Sequence, residues 1–532
     1  MRLKQIFILV ILSSILFTSC GKDPVTPDTG DKTRADKTRD SIFLYAKQIY
    51  LWSDALPTAE VFNAKRFTTK STNLLNYEDE LNAIAKYKIN PLTNLAYEYS
   101  ASGTSAKYSY ISDIADQNPT AYIPNKTSSV DLEGNGNDFG IKLGAYLQDG
   151  VGAKPFVLYV TAVYQNSPAN KAGVVRGHKI LKINDKTIVS ENYDTERGWI
   201  NTAFAGSEIK LEGITHLNGV PDVPFTVNLT KATYKSSPVY AAKVFTAGTK
   251  KVGYLAYARF STLSNSRPAL DLAFNKFAAD GVTELIVDLR YNGGGYVSTA
   301  EYLINQIAPS SANGQVMFSE HYNPLMQSGG ATILKNQPVL DGNGKIIYSS
   351  NGVMLNMHEN IDYTVAGNTS RFEKTGGLSG VTKVVFIVSD NTASASELII
   401  SCLKPFIDVK MVGTQTYGKP VGFFPMRMEN KYDIYYSLFH IKNSLGQGDY
   451  FNGFKPDVVD AFDDPRNDFG DPLEYYTMLA LKQFNVTTPV TTTKTMSING
   501  KNVSVQSLAP MKPIVDGNEF VGMIENRLKI KK

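Results

Sequence analysis

Apolar positions change spacing along the chain, and each change marks a segment. Ile6 to Phe17 is a predominantly apolar run behind Arg2 and Lys4, too short to span a bilayer as a stable helix. Residues 20–40 hold almost no apolar side chains and read as a flexible tether. Ile42, Tyr45, Ile49 and Trp52 then recur at helix spacing, as do positions from Leu74 to Ile84, which predicts a small helical domain over 41–130. Residues 131–232 are strand-rich: Gly134-Asn135-Gly136-Asn137 is a turn, and Val157 to Tyr164 is β-prone. Over 233–486 short apolar runs (Val252 to Tyr257, Glu284 to Leu289, Lys383 to Val388) alternate with helical stretches such as Arg267 to Phe277 and Ser394 to Leu403. That alternation predicts an α/β domain with buried strands. Polar, Gly- and Asn-rich sequence over about 310–374 reads as an insertion. The tail, 487–532, carries a weak hairpin signal at Ser497-Ile498-Asn499-Gly500-Lys501.

Composition narrows the class. With 532 residues, 42% hydrophobic and 20% charged, the chain is neither disordered nor a multi-span membrane protein, and it exceeds one hydrophobic core. A formal charge of +4, two positives of which lie in the leader, and the lack of a basic stripe argue against a nucleic-acid partner. The charged start and short apolar run have the layout of a secretory signal peptide over 1–19. Leu16-Phe17-Thr18-Ser19-Cys20 resembles a bacterial lipobox, which implies export and a lipid anchor on Cys20 as the sole membrane attachment. Gly21 after it favours the outer membrane, facing periplasm or cell surface. Cys402 would then be the only other cysteine, so no intramolecular disulfide is expected.

Three stretches carry candidate chemistry. Asp288-Leu289-Arg290-Tyr291-Asn292-Gly293-Gly294-Gly295 runs a buried strand into three glycines, where backbone amides could meet an anion. Ser389-Asp390-Asn391-Thr392-Ala393-Ser394-Ala395-Ser396-Glu397 follows a strand and opens a helix. A serine there either caps the helix or attacks from its positive end, and on this stretch alone capping comes first. Thr416-Tyr417-Gly418-Lys419 follows the next strand, 25 residues on (419 − 394). The stretch from Gly413 to Lys419 has the spacing of a phosphate-binding loop, but Pro420 lacks both the hydroxyl and the N–H such a loop needs.

Upstream, Ser167-Pro168-Ala169-Asn170-Lys171-Ala172-Gly173 and Gly177-His178-Lys179-Ile180-Leu181-Lys182-Ile183-Asn184 resemble the PDZ domains of bacterial proteases. That resemblance implies that the amides of Phe139, Gly140 and Ile141 hold a terminal carboxylate while the peptide adds a strand. In this order, the DLRxNxGG, S-A-S-E and Gly-Lys motifs resemble the C-terminal processing peptidases, also called tail-specific proteases, over roughly residues 131–480. The resemblance implies an α/β catalytic domain of the ClpP/crotonase-like type, Ser394 as nucleophile, Lys419 as general base and polypeptide substrates bound through their C-termini. An oxyanion hole from Ala395 and either Gly294 or Gly295, and a supporting role for Glu397, complete the expectation. No metal or cofactor is expected. Phe423 departs from the pattern by replacing a glutamine that assists the lysine. The alternatives are an esterase, or a peptide- or hydrophobic-ligand-binding protein of the same fold that no longer cuts.

A lysine can take a proton only when neutral, so its pKa must fall from about 10.4 towards neutrality. Tyr417, Val421, Phe423 and Phe424 flank Lys419 and offer an apolar pocket. None of the five histidines lies in the DLRxNxGG, S-A-S-E or Gly-Lys motifs.

Overall fold

A computed structural model describes residues 32–531, apart from 101–102, 116–129, 149–151, 218–220, 248, 342–344, 379, 487–492, 499–500, 507–512, 515–521 and 526. The expected signal peptide, Cys20 and most of the tether lie outside the described residues.

A six-stranded sheet organises the larger part of the molecule. Its order is Val239–Ala247, Lys250–Tyr257, Glu284–Asp288, Lys383–Val388, Asp408–Gly413 and Val458–Val459. The first pair is antiparallel and the other pairs are parallel. Val384 to Val388 are wholly buried because side chains alternate between two covered faces. Val384, Phe386 and Val388 meet the helices Leu263–Asp280, Val297–Ile307 and Ala395–Leu403. Val385 and Ile387 meet Tyr476, Ala480 and Leu481 of the helix Tyr475–Lys482. Each such buried side chain contributes about 1.5–3 kcal/mol. The loops that carry the motifs therefore leave a rigid edge.

The β-rich part has its own core, including Phe139, Ile141, Phe156, Leu158, Ile180 and Phe204. Its main sheet runs Pro224–Thr230, Glu208–Ile214, Lys179–Ile183, Phe156–Val163, Ile141–Leu147 and Pro513–Ile514. The Ser-Pro-Ala signal forms a short helix as expected: Ser167 Oγ accepts from Asn170 N at 3.1 Å, Pro168 opens the helix, and Gly173 ends it at φ +79°.

Other boundaries differ from the sequence reading. Helix Arg34–Ile49 begins inside the expected tether, because Thr33 and Asp36 form reciprocal caps (3.1 and 3.0 Å) and Thr38 Oγ1 donates to Glu429 Oε1 at 2.7 Å. Residues 41–130 are no separate domain. Ile42, Phe43 and Ile49 share a hydrophobic core with the six-stranded sheet, and strand Tyr110–Asp113 pairs with Tyr432–Tyr435. Nor is 310–374 a mere insertion, since its strand Val316–Tyr322 pairs with Phe439–Asn443 and buries Met317 and Phe318. In the tail, Thr493–Ile498 pairs with Lys501–Gln506 as the hairpin signal predicted. Two tail segments the sequence reading passed over join the body: Pro513–Ile514, and Gly522–Ile524, which pairs in parallel with Gly294–Tyr296.

Candidate active site

Ser394 sits where the strand Lys383–Val388 turns into the helix Ala395–Leu403. The turn is tied to the glycine loop by side chains that accept or donate locally. Thr392 Oγ1 donates to Leu289 O (2.8 Å), Ser389 Oγ donates to Arg290 O, and Ser396 Oγ donates to Asn292 O (3.0 Å). These bonds hold Ser394 at φ +63° and ψ −114°, a sparsely populated conformation that costs a non-glycine residue about 1–3 kcal/mol. Its side chain is wholly buried, and among the described residues its Oγ has no hydrogen-bond partner. The capping role is thus filled by Glu397, which reaches back to Ser394 N at 2.8 Å. Of the two nearby hydroxyls, Ser396 is committed and Ser394 is uncommitted.

Glu397 is fully buried and takes four donors. Oε1 accepts from Thr416 Oγ1 (2.6 Å) and Gly418 N (2.7 Å); Oε2 accepts from Ser394 N and Lys419 N (both 2.8 Å). One carboxylate oxygen therefore ties the backbones of Ser394 and Lys419 together. Both lone pairs of each oxygen are used, so Glu397 orients Lys419 through its main chain rather than its amine. Burial pushes the Glu397 carboxyl up against those bonds.

Lys419 is wholly buried, its Nζ 4.0 Å from the centroid of the Phe423 ring and 5.8 Å from that of Tyr108. Burial pushes its amine down to about 7; the negative charges of Glu98 and Glu397 oppose the shift, and the positive charge of Lys107 adds to it. Phe423, where the related motif has glutamine, supplies an apolar wall instead of a hydrogen bond.

The segment around Glu98 to Tyr108 showed no chemistry in sequence but forms the far wall. Tyr108 Oη donates to Gly418 O at 2.6 Å. Glu98 gathers donors from Tyr50, Tyr108, Ser109 and Ser437. Lys107 Nζ donates to Phe451 O at 2.9 Å, and burial lowers it to about 8. No local motif marks these residues; they reach the site only through tertiary packing.

The glycine loop abuts Ser394 so closely that a Cβ at Gly294 would lie 2.9 Å from Ser394 Cβ and 2.4 Å from Gly522 O. Gly294 N donates to Asn292 Oδ1 at 2.9 Å, so the amide expected to face an oxyanion is committed to a side chain here. Gly295 pairs in register with Met523, and Ala395 opens the Ser394 helix. The C-terminal strand also bridges to the lysine side of the cleft: Phe423 N donates to Met523 O (3.0 Å) and Glu525 N to Phe423 O (3.1 Å).

In the β-rich part, Phe139 and Ile141 are core residues. Gly140 N donates to Asp138 Oδ1 at 2.7 Å, and Tyr234 Oη donates to the same oxygen at 2.7 Å. An internal carboxylate thus holds the amide expected to meet a ligand's carboxylate. This part docks beside the glycine loop through Arg176, which donates to Asn467 O (3.0 Å) and Tyr291 Oη (3.3 Å), and through Lys142 Nζ, 4.6 Å from the Tyr291 ring centroid. Arg290, inside the loop, pairs with Asp288, Asp463 and Glu474 in a buried network. Among the described residues no group of three or more His, Cys, Asp or Glu side chains could hold a metal ion, and no helix is long and apolar enough to cross a membrane.

A parallel-sheet unit with a strained serine at a strand-to-helix turn, joined to a strand-adding β-domain, has the form of a PDZ-bearing peptidase. Comparison with known proteins specifies the family. Residues 251–460 match the profile described as Peptidase family S41, and 159–197 match that of a PDZ domain. The likeness to C-terminal processing peptidases read from the motifs is thereby borne out. The chain is 25% identical over 282 residues to the chloroplastic C-terminal processing peptidase of Tetradesmus obliquus, covering 51% of this chain and 49% of that one. It thus spans about half the length of that relative. It is 23% identical over 398 residues to a Staphylococcus aureus protein named "Probable CtpA-like serine protease", covering 74% and 68%. A solved structure of a candidate S41 protease from Bacteroides fragilis superposes with a TM-score of 0.53 at 20% identity, over 84% of this chain and 97% of that one. That likeness bears on the fold, which is the α/β catalytic unit with PDZ domain and N-terminal helices expected from the sequence.

Proposed function

We propose that the protein is a serine endopeptidase of the C-terminal processing type, working through a Ser394–Lys419 dyad. The observation that carries this reading is the shared Glu397 oxygen, which draws the backbones of a strained, uncommitted serine and a buried, near-neutral lysine onto one acceptor. In the reaction the neutral Lys419 amine takes the Ser394 proton as Oγ attacks the peptide carbonyl. The ammonium then gives that proton to the departing amine, leaving acyl-Ser394, and water completes hydrolysis with Lys419 again as base. Ala395 N–H, at the positive end of its helix, stabilises the oxyanion. Gly294 or Gly295 joins it once substrate reorders the glycine loop. The PDZ domain grips apolar C-terminal tails of exported substrates, and acylated Cys20 tethers the enzyme to the outer membrane.

The test is cleavage of a protein reporter with an apolar C-terminus, read by mass spectrometry. Ser394→Ala and Lys419→Arg should each fall to background, because guanidinium cannot give up its proton at workable pH. Ser396→Ala loses one hydrogen bond to the glycine loop and should stay within about tenfold of wild type. A folded Lys419→Arg protein with full activity would end the dyad reading.

A further inference from the structure

The groove that would receive a substrate tail already holds a strand of this chain. Ile141–Leu147 is the strand that follows the Phe139-Gly140-Ile141 loop; one edge pairs with Phe156–Val163 and the other with Pro513–Ile514. The second pairing is antiparallel, with Pro513 opposite Tyr146 and Ile514 opposite Ala145. The segment therefore runs towards the Gly140 loop, the direction in which strand addition presents a C-terminus to that loop. The carboxylate such a tail would bring is also supplied internally, by Asp138 on the Gly140 amide. Eight residues further on (522 − 514), the same tail pairs with the glycine strand beside Ser394 and bonds to Phe423. The two stations lie on the two parts of the molecule that the proposed reaction needs, one for gripping and one for cutting.

We infer that residues 513–514 are a built-in occupant of the PDZ groove, and that a polypeptide C-terminus enters only by displacing them. The partner is an extended chain end with a free carboxylate, the one ligand that can replace both the added strand and the Asp138 carboxylate. The competition follows from mass action: when only a fraction of molecules has an open groove, apparent affinity falls by that fraction. The competition rests on the proposed substrate-tail function, whereas the occupancy does not.

The experiment uses the full chain carrying Ser394→Ala, so that nothing is cut, with and without Ile514→Pro. Proline removes the backbone donor at the only position of this short strand that has one. Hydrogen exchange of Ile141–Leu147 is read by mass spectrometry, with Lys383–Val388 as the internal report that the fold is intact. Binding of a fluorescent decapeptide ending in apolar residues with a free carboxylate is read by anisotropy. Ile514→Pro should speed exchange of Ile141–Leu147 at least tenfold, leave Lys383–Val388 protected, and tighten peptide binding about tenfold. Ile514→Gly, a gentler change, should shift both in the same direction by less. Unchanged exchange in both variants overturns the occupancy. Faster exchange with unaltered peptide affinity overturns the competition. Faster exchange with no peptide binding to any form supports self-occupation and removes tail gripping from the proposed function.

Discussion

Replacing Lys419 by methionine should abolish activity and yet make the protein harder to unfold. The wholly buried amine falls from its ordinary 10.5 to about 7, while the unfolded chain keeps the ordinary value. Between those values the unfolded state carries a proton that the folded state has lost, so stability rises with pH across that window. At about 1.36 kcal/mol per pH unit, the buried amine costs the fold about 4 kcal/mol at neutral pH and only about 1 kcal/mol near pH 9.5. Methionine fills a similar volume without a charge to desolvate, and after some loss of fit should stabilise by about 2–4 kcal/mol at neutral pH. Urea unfolding at several pH values measures the gap between wild type and variant, which should shrink as pH rises. The same titration governs the proposed reaction, since only neutral amine accepts the serine proton. The rate should be about a tenth of its maximum at pH 6, half at pH 7, and level above about pH 8. A rate still climbing tenfold per unit towards pH 10, or a folded methionine variant less stable than wild type at neutral pH, would refute the reasoning.

Other expectations follow from the same geometry. Ser394→Gly should be inactive but about 1 kcal/mol more stable in thermal melts, because glycine accepts φ +63° without a Cβ penalty. Glu397→Gln turns an NH2 group towards two of the four donors it must accept, so activity should drop at least a hundredfold, with about 2–4 kcal/mol lost in urea unfolding. Arg290→Met strands Asp288, Asp463 and Glu474 as buried charges and should cost about 3–5 kcal/mol. Nearby arginines hold Asp463 and Glu474 below their ordinary values. That stabilisation is present above about pH 4 and is lost as pH falls through the lowered values, so the stability gap between wild type and the Arg290 variant should narrow as pH falls below about 4. Palmitate-analogue labelling should tag the wild-type chain and miss Cys20→Ala; equal labelling would remove the lipid anchor.

What was legible in the sequence is what lies close in sequence. Ser394, Glu397 and the glycine loop fall at strand ends, and a parallel sheet puts the ends of neighbouring strands side by side, so short motifs report a site. The Ser-Pro-Ala helix and the Ser497–Lys501 hairpin were legible for the same reason, since caps and turns are local. Glu98, Lys107 and Tyr108 were not. They approach Lys419 only because strand Tyr110–Asp113 pairs with Tyr432–Tyr435, more than 300 residues later, and no spacing rule encodes such a pairing. The early start of helix Arg34–Ile49 was hidden by composition: seven polar or alanine residues look like a tether until the Thr33–Asp36 cap and the Glu429 bond are known.

The role of Phe423 follows from combining the two kinds of information. A glutamine at that position would offer Lys419 a hydrogen-bonding partner, and its replacement by a ring looks like a loss of function in sequence alone. In the folded site the ring closes the pocket whose dryness lowers the lysine towards neutrality, and its main chain fastens the C-terminal strand on both sides, through Met523 O and Glu525 N. The four donors on Glu397 commit that carboxylate to backbone amides and a hydroxyl, while its charge and that of Glu98 still oppose the lowering of the lysine. A hydrogen-bonding side chain at 423 would orient the amine but also solvate its charged form. Desolvation by Phe423 and positioning through Glu397 and the Lys419 main chain therefore take over what a glutamine at 423 would supply. The substitution is consistent with a working base, because what the chemistry requires of the lysine is neutrality at a fixed position, and each requirement is met by a different residue.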